Sequence, residues 1–375
     1  MEIISLQDGI DYNETVLRRQ VTTLLEPLGG MGRFVKPGQT VLLKPNMLAG
    51  KPPEAAVTTH PAIVKVVAEL VHAAGGTVLV GDSPGLGSFE KVAQKTGIAR
   101  AVAEAGGSLL PFNETRQAGG EGTFRRLELA SAYLDADVVI NLPKLKTHEM
   151  MTLTCGVKNL YGAVVGAAKA GLHLTAGHAK ELFAELLLEI AFARPVALTI
   201  VDGIVAMEGN GPNSGTPRQL GLLLAGENPV AVDTVAAYLA GIPADLLPVE
   251  REARRRGLPG TELDRIALTA DLAAMVADPP FVLPEGLDVQ FGLPGFLKKL
   301  LRNQLTPLPG AEKDSCTGCG VCRDACPPAA ITITKNALKV DSGRCIRCWC
   351  CRELCPQHAM GIRKGGLLRL LERLR

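Results

Sequence analysis

Two runs near the end of the chain, CTGCGVCRDACP at 316–327 and CIRCWCCRELCP at 345–356, set the plan of its C-terminal region. Both read C-x2-C-x2-C-x3-C-P, and each cysteine of the second run follows its counterpart by the same 29 residues. Thiolates at these short spacings can converge on three corners of an iron–sulfur cube. Zinc sites use two C-x2-C knuckles separated by a longer spacer, not four cysteines in one short run. A disulfide framework suits small secreted domains, and the N-terminal MEIISLQDGIDYNETVLRRQ has neither the basic start nor the apolar core of a secretory signal.

The two runs resemble the bacterial 2[4Fe-4S] ferredoxin domain, over roughly the last sixth of the chain. The resemblance implies that Cys316, Cys319, Cys322 and Cys355 hold one [4Fe-4S] cluster, and that Cys345, Cys348, Cys351 and Cys326 hold a second. Cys350 departs from the pattern. The constant register favours its neighbour Cys351 as ligand, which leaves Cys350 as a spare thiol that reads as a small buried hydrophobe. From Asp314 to Lys364 eight Lys and Arg face four Asp and Glu. Two oxidised clusters with their thiolates add a charge of about −4, so the module is close to neutral and suited to sit against its own large domain or an acidic donor.

Composition sets wider bounds. The 375 residues are 47% hydrophobic and 21% charged, with a net charge of +2, an ordinary globular balance that gives no reason to invoke nucleic acid. Nine of the ten cysteines fall in the last sixty residues. Such clusters need reduced thiolates, which points to a cytoplasmic, oxygen-poor setting. The most lipid-like stretch, 182–201, contains Glu185, Glu189, Arg194 and Pro195, so no transmembrane segment is expected.

Upstream of the cysteines the chain alternates apolar runs with periodic helices. Strands are expected at Ile3 to Leu6, Thr40 to Leu43, Thr77 to Val80, Asp137 to Leu142, Val196 to Val201, Leu220 to Leu224 and Ile266 to Leu268. Helices are expected from Asn13 to Leu28, from His60-Pro61 to Ala74, from Ser88 to Ala105, from Ala179 to Ala193, from Val230 to Leu239 and from Val249 to Arg256. This alternation predicts an α/β fold, a mostly parallel sheet flanked by helices, with a small α+β ferredoxin-like domain at the C-terminus. The expected domains are residues 1–283, a linker at 284–312 with a short amphipathic helix (292–305), the ferredoxin domain at 313–364 and a C-terminal amphipathic helix at 365–375.

In parallel sheets ligands sit beyond the carboxyl ends of the strands. That rule selects Lys44, Asn46, Asp82, Ser83, Lys144, Lys146, His148, Asp202 and Glu208. The stretch from Lys144 to His148 reads as a polar loop. Lys144, Lys146 and His148, with Lys44 and Lys158, are expected to form a cationic pocket for a carboxylate or phosphate. His148 stands open between general acid, metal ligand and structural histidine. Asp82 and Asp202 stand between orienting a lysine, binding a cation and capping a turn. Gly81 to Gly87 lacks the ending of a P-loop, and no flavin or nicotinamide fingerprint is present.

Several phrases of this large region are similar to the DUF362 family: VLLKPNM (41–47), TTHP (58–61), VGDSPG (80–85), NLPKLKTH (141–148), GVKNLYG (156–162), DGIVAMEGNGPNSG (202–215) and ENPVAVDTVAA (227–237). The resemblance spans about residues 1 to 275 and implies no particular chemistry. The expected whole is an iron–sulfur oxidoreductase. Two clusters pass electrons to or from a small anionic substrate in the α/β domain, with a redox partner protein as donor or acceptor. The alternative is a non-enzymatic carrier whose α/β domain docks a partner. A non-redox enzyme with structural clusters and a donor of clusters are further readings.

Overall fold

The computed structural model describes residues 2–119, 122–124, 126–166, 168–176, 180–285, 307–312, 314–334, 337–366 and 369. A ten-stranded sheet carries the large region. Along its main path the order is Ile266–Leu268, Glu2–Gln7, Thr216–Gly226, Leu198–Glu208, Val138–Leu142, Thr40–Pro45, Thr77–Val80 and Ser108–Leu109. Lys144–His148 pairs with Leu198–Glu208 and with Thr152–Thr154. Pairing is parallel except where Thr216–Gly226 and Thr152–Thr154 take part, so the expected mostly parallel sheet is present.

Its central strands are mainly apolar because both faces are covered. Successive side chains alternate between faces. Val41, Leu43, Val138 and Ile140 join one hydrophobic cluster with the helices Glu14–Leu25 and Pro61–Ala73, while Leu42 and Val139 join another with the helix Lys180–Ala193.

Three local expectations change. Lys144–His148 is a wholly buried strand, not a polar loop. Leu198–Glu208 and Thr152–Thr154 pair with its backbone from the two sides, and the lysines find acceptors inside. Leu198–Glu208 runs on past Val201, held by Thr216–Gly226, so Asp202 lies mid-strand. The helix expected from Ser88 to Ala105 divides at Gly97, whose φ of 77° ends Phe89–Lys95 and starts Ile98–Glu104. The helix expected at 292–305 lies outside the described residues, as does most of 365–375.

The cysteine-rich region is built twice. Leu308–Ala311 and Ala337–Val340, Val321–Asp324 and Cys350–Glu353, and Ile331–Thr334 and Met360–Arg363 are pairs of like elements offset by the 29 residues of the cysteine repeat. The strands form two-stranded antiparallel sheets, Leu308–Ala311 with Met360–Arg363 and Ile331–Thr334 with Ala337–Val340. The repeat reaches the torsion angles. Gly318, Gly320 and Ala329 have φ of 69°, 85° and 49°, and their counterparts Arg347, Trp349 and His358 have 55°, 63° and 52°. This is the small α+β domain expected.

Candidate functional site: a cavity between the sheet and the cysteine module

The cysteines gather into two groups. Cys316, Cys319, Cys322 and Cys355 line one hollow, and Cys326, Cys345, Cys348 and Cys351 line another. Each group thus takes three cysteines from one run and the last from the other. The N–H of Ala330 donates to Cys326 Sγ and that of Ala359 to Cys355 Sγ, each at 3.2 Å. Cys319 is exposed, whereas Cys345, Cys348 and Cys351 are buried. Among the described residues no group of three or more His, Cys, Asp and Glu is gathered about a single-ion position.

A third cavity, of about 360 Å³, lies where this module meets the large sheet. The sheet side contributes Asn46, Asp82, Ser83, Lys146 and His148, all expected from the sequence. It also contributes Lys158, Tyr161, Lys169 and His173. The cysteine module contributes Asp324, Ala325, Cys350, Glu353 and Leu354.

The wall is tightly specified. Lys44 Nζ lies 2.8 Å from Asp82 Oδ1, and a methyl group added at Gly162 would collide with both atoms. Asp82 Oδ2 accepts from the Met47 N–H at 2.9 Å. Lys146 Nζ donates to Asn46 Oδ1 at 3.0 Å and to the Val57 carbonyl at 2.5 Å. Asn46 donates in turn to Asn159 Oδ1 at 2.9 Å. Lys169 Nζ donates to the Ser83 carbonyl, and its own carbonyl accepts from Tyr161 OH at 2.8 Å. Lys158 Nζ stands over the Tyr161 ring, 5.0 Å from its centre. Burial disfavours the charged form of each lysine and brings Lys146 and Lys169 down to about 7.

His148 faces the module. Its Nδ1 accepts from the N–H groups of Met150 and Met151, which puts the ring proton on Nε2. That atom lies 3.2 Å from Glu353 Oε1. Burial keeps the imidazole well below its ordinary pKa, and so neutral. Further contacts close the seam. Asn213 donates to the Glu353 carbonyl at 2.7 Å, Arg352 pairs with Glu149, and His358 lies 2.9 Å from Lys51 Nζ. Trp349, 2% exposed, belongs to the same hydrophobic cluster as Leu42, Tyr161 and Phe183 of the large region.

Other expected residues lie elsewhere. Lys44, Lys144 and Asp202 do not line this cavity, and Lys44 reaches it only through its contact with Asp82. Lys144 Nζ meets Asp202 Oδ2 at 2.9 Å, and both are buried. Tyr12 OH donates to Asp202 Oδ1 at 2.7 Å, the His60 N–H donates to Oδ2 at 2.8 Å, and the His60 ring stacks on Tyr12. Glu208 pairs with Arg218 at 2.7 Å. Lys169, His173 and Glu353 were not singled out from the sequence. Lys169 and His173 are four residues apart on the helix Ala168–Ala176, a spacing that puts them on one face. Glu353, between two cysteines, reads only as one charge in a mixed run. Cys350 is buried, as expected, but lines the cavity.

Residues 41–238 match a domain of unknown function, DUF362. This chain belongs to the DUF362 family. Residues 308–356 of this DUF362 protein match the 4Fe-4S dicluster domain, which implies two [4Fe-4S] clusters and iron–sulfur electron transfer. The DUF362 chain is 41% identical over 301 residues to thylakoid-associated protein sll1697 of Synechocystis sp., covering 80% of this chain and 94% of the relative. It is also similar to the lactate racemase apoprotein from Thermoanaerobacterium thermosaccharolyticum, with a TM-score of 0.41, 11% identity, and coverage of 64% of this chain and 57% of that one. Among the described residues no helix is long and apolar enough to cross a membrane.

Proposed function

We propose that this protein is an iron–sulfur oxidoreductase that exchanges electrons with a small anion bound in the cavity between its two modules. One observation carries the reading: Cys350 and Glu353, which lie among the cysteines of the second run, form the wall of the cavity that Lys146, Lys158 and Lys169 enter from the other side.

The four free thiols around each hollow, with N–H groups aimed at two of the sulfurs, fit a [4Fe-4S] cube in donor type and number. Cys316, Cys319, Cys322 and Cys355 would hold one and Cys326, Cys345, Cys348 and Cys351 the other. When bound, such clusters take up and release single electrons. The exposed Cys319 marks the side open to a redox partner protein, and Cys350 marks the side next to the substrate. The protein residues bind and orient. Lys146, Lys158 and Lys169 attract the anion, His173 and Tyr161 shape its seat, and the Cys350–Leu354 wall excludes water. Ten cysteines without a disulfide, eight of them proposed as cluster ligands, suit a reducing compartment, for which the cytoplasm is our assignment.

The test is optical. The protein is reconstituted with iron and sulfide without oxygen, reduced, and mixed with a panel of small anionic metabolites. One compound should reoxidise it at a saturating rate that falls tenfold or more in Lys146→Ala or Lys158→Ala. If only protein acceptors take the electrons and both substitutions change nothing, the protein is a carrier and the α/β domain a docking platform.

A further inference from the structure

The charges on the cavity wall do not balance. Lys146, Lys158 and Lys169 enter from three segments, the strand Lys144–His148 and the helices Gly156–Asn159 and Ala168–Ala176. Lys146 and Lys169 donate to neutral oxygens, and Lys158 lies over an aromatic ring. Among the described residues none of the three has a carboxylate at ion-pair distance. Of the carboxylates in the lining, Asp82 is taken by Lys44 and Asp324 by Arg323, which leaves Glu353. Three lysine nitrogens face one free carboxylate, so full protonation of the three would leave two positive charges unmatched; burial disfavours those charges while the cavity is empty, and a bound anion would restore them.

His173 adds a second, independent sign. It is 5% exposed, lines the cavity, and its Nδ1 has no hydrogen-bond partner among the described residues. The rest of the lining is largely apolar, with Leu48, Pro84, Pro212, Ala325 and Leu354. A volume of about 360 Å³ is at the lower end of small-molecule sites.

From this we infer that the ligand is a small dianion, its two negative charges met by Lys158 and Lys169 with Lys146, and its remaining atoms held by the apolar part of the lining, Leu48, Pro84 and Pro212 with Ala325 and Leu354 of the cysteine module. A short dicarboxylate and a phosphate monoester share this chemistry. The inference rests on the cavity being the ligand site of the function proposed above, and it narrows the class of that ligand.

Calorimetric titration of the reconstituted, oxidised protein separates the possibilities without any turnover. Succinate and inorganic phosphate are the dianionic probes, and butyrate is the monoanion of matched length. At least one dianion should bind ten or more times more tightly than butyrate, and which one does so distinguishes a carboxylate from a phosphoryl ligand. Lys158→Gln and Lys169→Gln should each weaken it tenfold or more, with Lys158→Met as a second variant, and the exposed Lys91→Gln should leave it unchanged. Butyrate binding as tightly as succinate and phosphate, or no binding of either dianion below 10 mM (about −3 kcal/mol), overturns the inference. So does a result in which the lysine variants keep dianion affinity and instead shift the midpoint potential, because the lysines then balance cluster charge. Tight dianion binding without any metabolite that reoxidises the reduced protein upholds this inference and removes the oxidoreductase reading.

Discussion

His148 Nε2 lies 3.2 Å from Glu353 Oε1, which joins the end of a buried strand of the sheet to the helix Cys350–Glu353 of the cysteine module. The ring is oriented from behind, by two backbone N–H groups that donate to Nδ1. Removing it would orphan those donors. His148→Ala should cost about 1–3 kcal/mol in denaturant unfolding. His148→Asn, whose side-chain oxygen supplies an acceptor near Nδ1, should recover most of that loss. Equal losses in both variants would show that the backbone acceptor is not what His148 provides.

Lys144 has a different role from Lys146, although both point from one face of the same strand. Its partner Asp202 is fully buried, and Tyr12 and His60 complete the shell. Lys144→Met leaves that carboxylate without its cation and should cost about 3–5 kcal/mol. The variant protein that does fold should keep normal dianion affinity. A stable Lys144→Met with weakened affinity would move Lys144 into the binding site.

The cavity lysines fix a pH dependence. Lys146 faces Lys158, Lys144, Glu353 and Asp82, and Lys169 faces Asp82, Lys44 and Lys158; burial brings both to about 7, below the ordinary lysine value of 10.5. Between those values the unfolded chain binds more protons than the empty folded one, so this contribution to stability should rise with pH from about 7 to 10.5. A bound dianion favours the charged lysines and so works against this difference. Titrations at pH 8 in buffers of unlike ionisation enthalpy should show net proton uptake on binding, and affinity should fall as pH rises further. Proton release on binding would contradict the placement of the anion beside these lysines.

The repeated torsions give a test of the backbone. Ala329, exposed and at φ 49°, adopts the left-handed conformation that costs a side chain about 1–2 kcal/mol, which glycine avoids at an entropic cost of about 0.5–1 kcal/mol. Ala329→Gly should therefore be neutral or stabilise the module by up to about 1 kcal/mol, read as its thermal midpoint. A clear loss of stability would mean that the Ala329 methyl group makes a contact that outweighs the strain.

Trp349 also sits at a positive φ, but it is buried in the cluster shared with Tyr161 and Phe183, so replacement should act through packing. Trp349→Ala should cost about 3–5 kcal/mol, as for other large buried side chains. Limited proteolysis should then release the cysteine module from the α/β domain more readily than in the wild type.

The sequence by itself determined what depends on spacing and periodicity along the chain. The C-x2-C-x2-C spacing was enough to group three cysteines of each run, because a short loop brings near neighbours to one hollow; the crossed fourth cysteine was implied only by the resemblance to ferredoxins, and the fold places it there. Apolar runs such as 41–43 and 138–140 announced central parallel strands, because a strand covered on both faces has few positions that meet water. The ends of strands named Asn46, Asp82, Ser83, Lys146 and His148. The tertiary structure alone decided which of the buried charges meet. Lys144 and Lys146 are indistinguishable in the phrase NLPKLKTH, yet one finds Asp202 and the other a cavity, because their partners come from chain segments 58 and 100 residues away. Glu353 and Cys350 became part of the cavity only when the cysteine module docked. Their role depends on a contact between modules, and no local pattern of hydrophobicity or spacing encodes such a contact.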